Sequence, residues 1–546
     1  MPSGSDVAMV AYVNRRAAAF PLLVSTVVLT AFTSSTGSSA SPGEGPGIQP
    51  QVGELPAAAA AIMSKPEFET ARWLYSVAEA ETGRVVLAGR AGESVFTAST
   101  AKNFTVGTTY ATLGTDATLT TPVYATAEPA GGVLAGDLVL VASGDLAMGG
   151  RGAMSGRVDH AFTAGTIDHV YGDIAPNAAF VPDGPLAGLD DLARQVAGSG
   201  VTEIAGDVVI DTRLWNTFDG QEGPAPSIYV NDNILDITVT AAGIGQPAVL
   251  DLRPQTQAVT VESTVTTTDA GTPTSLTVAA DPGDPTSVTV SGTIAAGASQ
   301  LTIHRIPHAA SWARTLFVEA LGRAGVTVTS PAVGPNDQAG LPPAGSYPAE
   351  DRVASLTSPP MKAFGRMILE TSYNTGANAL MCLLAAHGGS PDCLDGLQAV
   401  HSQLDRAGVA PEDVVLFDGQ GADPASTTPD QMVAWTRWAQ RQPWGEEFAA
   451  GQPVLGVSGT LASTGQDDPA AGEVAAKTGT SVDVDPTTGR VLYKVQSLAG
   501  HLTTERGERF VFSLSMSGAT YPDVPTGLHD ANEDVAAVAA AFQQAL

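Results

Sequence analysis

The chain changes texture twice, and this double switch limits what it can fold into. Its first part reads as helix and hairpin. Ala57 to Met63 is a short helix, and Trp73–Val77 and Val85–Leu87 form a strand pair about the turn Glu81-Thr82-Gly83-Arg84. A helical segment opens at Ser99, carries Ala101, Phe104 and Tyr110 on its predicted buried side, and stops at Gly114. From about Leu119 to Tyr347 short Thr- and Val-rich runs dominate, such as Leu138–Val141, Val208–Ile210, Ile237–Thr240 and Leu301–Ile303. One helix, Trp312 to Ala324, is read near the end of that stretch. Helical texture then returns at Pro360–Thr371, Asn378–His387 and Thr428–Arg441. A hairpin about Asp485–Gly489 and a central strand, Phe510–Leu514, follow. The closing helix, Asp530 to Leu546, sets Val535, Val538, Ala539, Phe542 and Leu546 on one face. A chain that leaves one texture and returns to it is predicted to carry an insertion. The expectation is a multi-domain α/β protein. A discontinuous domain, 57–118 and 348–546, is interrupted by a β-rich region of one or two domains at 119–347.

The N-terminus is read as an export signal over 1–40, followed by a linker over 41–56. Arg15-Arg16 precede an apolar run from Ala17 to Phe32, and small residues follow from Thr33 to Ser41. That run is short for a membrane span and holds Pro21. Cleavage and an extracytoplasmic location are expected, with an uncleaved N-terminal anchor as the alternative. Basic residues number 26 and acidic residues 56, a net charge of −30. Such a surface has nothing to neutralise phosphates, so nucleic acid is excluded as a partner, and docking on an anionic membrane is disfavoured. The only cysteines are Cys382 and Cys393. In an exported chain they read either as a local disulfide across the turn Gly388–Pro391 or as two buried thiols. No spacing suggests a metal site, and no cofactor is expected.

Lysine is scarce: five of the 26 basic residues, at 65, 102, 362, 477 and 494. An amine can lose its proton when desolvated or set beside another cation, which a guanidinium does not. Ser99-Thr100-Ala101-Lys102 pairs a hydroxyl with such an amine one helical turn away. Ser372-Tyr373-Asn374 lies between two predicted helices, and Lys477-Thr478-Gly479-Thr480 lies on a predicted strand. Each motif alone is ordinary: a helix start, a turn, a strand end. In this order and these settings they describe a serine acyl-transfer site. Ser99 would be the nucleophile and Lys102 its base, lowered by burial and by Lys477. Ser372 would relay a proton, and Asn374 would hold a substrate amide. Lys477 and Thr478 would bind a carboxylate, and Gly479 would leave room for substrate backbone. The backbone N–H groups of Ser99 and Thr480 would face the oxyanion.

The chain resembles the D-alanyl-D-alanine carboxypeptidase/endopeptidase family, the low-molecular-mass class C penicillin-binding proteins. Beyond the three motifs, the likeness includes Gly136–Leu140 with Ser143-Gly144-Asp145, Gly206–Asp211, Tyr229–Asn233, and Gly459-Thr460-Leu461 ahead of Ala476–Thr480. The long gap from Ser99 to Ser372 is this family's trait. The resemblance implies a transpeptidase/β-lactamase-like domain, an antiparallel sheet flanked by helices, with β domains inserted. It implies cleavage at D-alanine in peptidoglycan stem peptides and inhibition by β-lactam antibiotics, with carboxypeptidase and endopeptidase action both open. A β-lactamase or esterase on the same scaffold, or a non-catalytic cell-wall scaffold, are the rival readings. Oligomeric state is unknown. Two departures stand out. Asp418-Gly419-Gln420-Gly421-Ala422-Asp423 replaces the more usual Asp-Gly-Ser-Gly-Leu-Ser, and the segment after Thr480 is longer. Both are expected to bear on the cleft.

Overall fold

Strand Arg509–Ser517 is buried at every residue but its two ends, so it needs cover on both faces. In the computed structural model, which describes residues 52–149, 151–152 and 158–546, it is the middle of an antiparallel sheet. Strands 72–79 and 85–89 lie to one side, and 491–503 and 474–484 to the other. The export signal and most of the linker fall outside the described residues. Alternation along the central strand sends Phe510, Phe512 and Leu514 to one face, where they meet Val535 and Phe542 of the closing helix, Val524–Ala545. Val511 turns the other way, onto Val433 of helix Pro429–Gln440.

Behind that second face runs helix Lys102–Leu113. Its sequence suggests one inward side, yet every residue from Lys102 to Tyr110 is buried. Helices Met361–Thr371, Asn374–His387 and Pro429–Gln440 pack around it. A Cβ at Gly107 would come within 2.8 Å of the Trp435 ring, so the crossing there depends on glycine. Helix 374–387 begins four residues earlier than its sequence suggests. The second motif is therefore a two-residue break, Ser372 and Tyr373, between consecutive helices. Cys382, inside the later helix, is joined to Cys393 by a disulfide.

Between 119 and 357 the chain builds further sheets. One has the order 208–211, 138–141, 120–125, 352–357. Helices Ala187–Gly198 and Ala309–Arg323 cover it, burying Leu189, Leu192, Leu316 and Leu321 against Leu138, Leu140 and Ile210. The first of these helices is missing from the sequence reading. Its apolar spacing is helical, but glycines at 184, 188, 198 and 200 read as turns. The region also holds a three-stranded sheet, 249–253, 234–240 and 299–305, a four-stranded one over 260–295, and smaller pairings that include hairpin 218–225. Segment 162–171, with Trp215, Tyr229 and Ile303, packs instead into the same core as the helices that bear the motifs.

Candidate active site

Ser99 sits in a 3₁₀ turn, Ala98–Ala101, that feeds directly into helix 102–113. The residue before it, Ala98, has φ +42, a left-handed conformation costing a non-glycine residue roughly 1–2 kcal/mol. Strain of this kind persists only where the surroundings fix it. They do so here through loop 418–423. Asp418 Oδ1 accepts from the backbone N–H groups of Gln420, Gly421 and Ala422 at 3.1, 2.7 and 3.1 Å, winding the loop tightly. Gly421, at φ +90, is pressed so close to the turn that a Cβ would lie 2.0 Å from the Ala98 carbonyl oxygen.

Lys102 is fully buried, and its ammonium donates to Ser99 Oγ at 2.7 Å, to the Gln420 carbonyl at 3.2 Å and to Asn374 Oδ1. All three donors are thus used. Burial lowers its pKa to about 8, against the opposing pull of Glu222 and Asp418. Lys477 is also fully buried, and burial followed by repulsion from Lys102 pushes its pKa well below the usual lysine range. Its Nζ donates to the Thr478 carbonyl at 2.8 Å.

Lys477 to Thr480 lie on strand 474–484, the outermost of the main sheet. Thr478 shares a 2.8 Å hydroxyl contact with Thr460, and Thr480 Oγ1 donates to Gln496 at 2.7 Å. Gly479 has a packing role in the strand. A Cβ there would come within 2.6 Å of Ser497 Oγ and 2.7 Å of the Thr97 carbonyl oxygen, so the glycine seats the strand against the Ser99 turn. Ser372 caps helix 361–371 at φ +60 and opens, with Ser99, Asn374, Thr478 and Thr480, onto one cleft of about 90 Å³.

The residues that depart from the usual pattern line this same cleft. Asp423 accepts from Ser481 Oγ and pairs with Lys494, both at 2.6 Å, and Lys494 also pairs with Asp483 at 2.9 Å. Sequence reasoning missed Glu222, which lines the cleft from hairpin 218–225 of the intervening region. Burial raises its carboxyl pKa, against a hydrogen bond from Asn374 and the charges of Arg305 and Lys102. The only local signal is a turn bracketed by Gly220 and Gly223, which says nothing about where the turn points.

Residues 55–539 match the model of the D-Ala-D-Ala carboxypeptidase 3 (S13) family. The chain belongs to that family. It is a serine-type D-Ala-D-Ala carboxypeptidase, a hydrolase acting on peptidoglycan. A D-alanyl-D-alanine carboxypeptidase of Actinomadura sp. (strain R39) is 27% identical over 501 residues, covering 86% of this chain and 82% of the relative. Among solved structures, penicillin binding protein 4 (dacB) of Haemophilus influenzae superposes with a TM-score of 0.64 at 18% identity, over 87% of this chain and 98% of that one. The same protein complexed with a β-lactam gives 0.63 at 19% identity, over 89% and 99%. The S13 fold thus extends through the intervening sheets as well as the antiparallel domain.

Proposed function

We propose that Ser99 is the residue acylated by the stem peptide and that Lys102 is its base. The observation that carries this is a fully buried amine 2.7 Å from the hydroxyl, with its pKa lowered to about 8. Near neutrality an accessible fraction of Lys102 is uncharged, and the hydrogen bond then reverses, with Ser99 Oγ–H donating to Nζ. The proton passes to Lys102 as Oγ attacks the carbonyl of the penultimate D-alanine. Backbone N–H groups of Ser99 and Thr480 receive the oxyanion. The C–N bond breaks as Ser372 hands a proton from Lys102 to the departing D-alanine amine. Water then attacks the ester, with the same amine as base, and frees Ser99.

Thr478 and Lys477 receive the terminal carboxylate. Lys477 is depressed in the free protein, and an arriving carboxylate favours its charged form, so binding and protonation reinforce each other. Asn374 joins Lys102 to Glu222 and holds the substrate amide between them. β-Lactams present a strained amide to the same hydroxyl and are proposed to acylate it. The protein is proposed to be exported by its N-terminal signal and to work outside the cytoplasm; among the described residues no helix is long and apolar enough to cross a membrane.

Intact mass after incubation with benzylpenicillin, repeated on a tryptic digest, tests the assignment. A stable adduct on the Ser99 peptide, absent in Ser99→Ala, is expected. An adduct that persists in Ser99→Ala would remove Ser99 from this role, and consumption of penicillin without an adduct would point to β-lactamase turnover.

A further inference from the structure

The second motif is held by residues far from it in sequence. Ser372 adopts φ +60 without being glycine, and its carbonyl accepts from the Tyr171 hydroxyl at 2.6 Å. Two residues earlier, Glu370 contacts His160 Nε2 at 2.6 Å. The Tyr373 ring lies under the Arg151 guanidinium, 5.9 Å from its centroid. All three partners belong to the intervening region.

Those partners are themselves fixed by a buried ion cluster. Arg151, 1% exposed, grips Asp168 with two nitrogens at 2.8 and 3.1 Å and donates through Nε to Asp232 at 2.8 Å. His169 lies between Asp236 at 2.7 Å and Asp232 at 3.0 Å. Burial disfavours its charge, but Asp236, Asp232 and Asp168 outweigh that and raise its pKa to about 10. With Arg253 at 3.9 Å from Asp236, three cations meet three carboxylates. Asp232 comes from a turn in which Asn231, Asp232 and Asn233 are all left-handed, at φ +51, +54 and +54. Asn231 Nδ2 ties that turn to Asp236 at 3.0 Å. An apolar core would stabilise at least as well as buried ions. What the cluster adds is a single geometry, set two residues from Tyr171.

We propose that Tyr171, backed by the Arg151–Asp168–Asp232–His169–Asp236 cluster, is the positioning element of the second motif. It holds the Ser372 carbonyl, and through it the left-handed backbone that turns the Ser372 side chain into the cleft it shares with Ser99. Tyr171 and Arg151 act through Ser372 and Tyr373 and are positioning residues. Burial raises the Tyr171 phenol well above its ordinary pKa, so it remains a donor across the working pH range. This inference rests on the reading of Ser372 as part of the reacting centre.

The test is single-turnover acylation by a fluorescent penicillin, comparing wild type, Tyr171→Phe and Tyr347→Phe. Tyr171→Phe keeps the ring and removes one hydroxyl. Its saturating acylation rate constant should fall about tenfold, the half-saturating concentration should hold within about twofold, and the Tm within about 2 °C. Tyr347, whose half-buried hydroxyl donates to Asp211 at 2.8 Å away from the cleft, controls for loss of a hydrogen-bonded phenol. Its variant should acylate like wild type. An unchanged rate constant in Tyr171→Phe, a change confined to half-saturation, or a loss matched by Tyr347→Phe or by a fall in Tm overturns the proposal. Absence of wild-type labelling on Ser99 would instead overturn the functional reading beneath it.

Discussion

As the proposed base, Lys102 would set how fast Ser99 reacts, and its charge state depends on its neighbours Glu222 and Asp418. Below a pKa of about 8 the neutral fraction rises tenfold per pH unit, so acylation should climb with pH and level off above about 8. Glu222 pulls that pKa up, so Glu222→Gln should move the midpoint of the profile to lower pH. Stopped-flow penicillin acylation from pH 5 to 10 reads both effects; coincident profiles would mean that Glu222 is electrostatically remote. Lys102→Ala should cost about 10²–10⁴-fold in acylation, and near-normal rates would pass the base role to Lys477 or water. The contact between Ser99 and Lys102 was legible because they lie one helical turn apart, a relation that four consecutive letters of sequence can hold. Glu222 and the Asp423–Lys494–Asp483 group were not. They meet the motifs only after strands 474–484 and 491–503 pair and hairpin 218–225 folds over the cleft.

Loop 418–423 shows how an element can govern the site without supplying a reacting group. Gly421 combines φ +90 with a neighbour 2.0 Å from where a Cβ would sit, the Ala98 carbonyl oxygen. Gly421→Ala should therefore lose about 2–4 kcal/mol of stability and slow acylation, because relief of the clash displaces the Ser99 turn. Gly297, at φ +81 with nothing within 4 Å, isolates the backbone contribution. Gly297→Ala should lose only about 1–2 kcal/mol and acylate normally. Urea unfolding and labelling of the two variants separate strain from contact, and equal losses would assign the whole effect to φ. Most elements could be read from period and punctuation, among them helices 57–63 and 429–440 and the hairpin at Asp485–Gly489. Helix 187–198 escaped because its glycines mimic turns. The all-round burial of helix 102–113 escaped because small and hydroxylated residues, Thr105, Gly107, Thr108 and Thr109, allow close packing without announcing it as apolar residues would.

Intervening and motif-bearing parts are joined by more than the chain. Phe162, Ile167, Val170, Trp215 and Tyr229 occupy one core with Phe104, Met381 and Trp435, and the charge-balanced cluster about Arg151 lies against that core at Tyr373. Pulling the two parts apart would expose apolar surface and strand buried charges together, so unfolding should be shared. Thermal melts followed by tryptophan fluorescence, by far-UV circular dichroism and by residual penicillin labelling should give one midpoint, agreeing within about 2 °C. Asp168→Asn leaves Arg151 short of its bidentate partner in a buried site, a loss of about 3–5 kcal/mol. It should lower all three midpoints together. Raised salt should move them the other way, because a net charge of −30 repels itself and the Debye length shrinks to about 3 Å near 1 M. If labelling were lost well before the fluorescence transition in wild type, the shared core would not bind the parts energetically. The site would then be assembled by the sheet and its helices alone. Coincident midpoints that fall together in Asp168→Asn would mean instead that the long intervening region is part of what holds Ser99, Ser372 and Lys477 in one place.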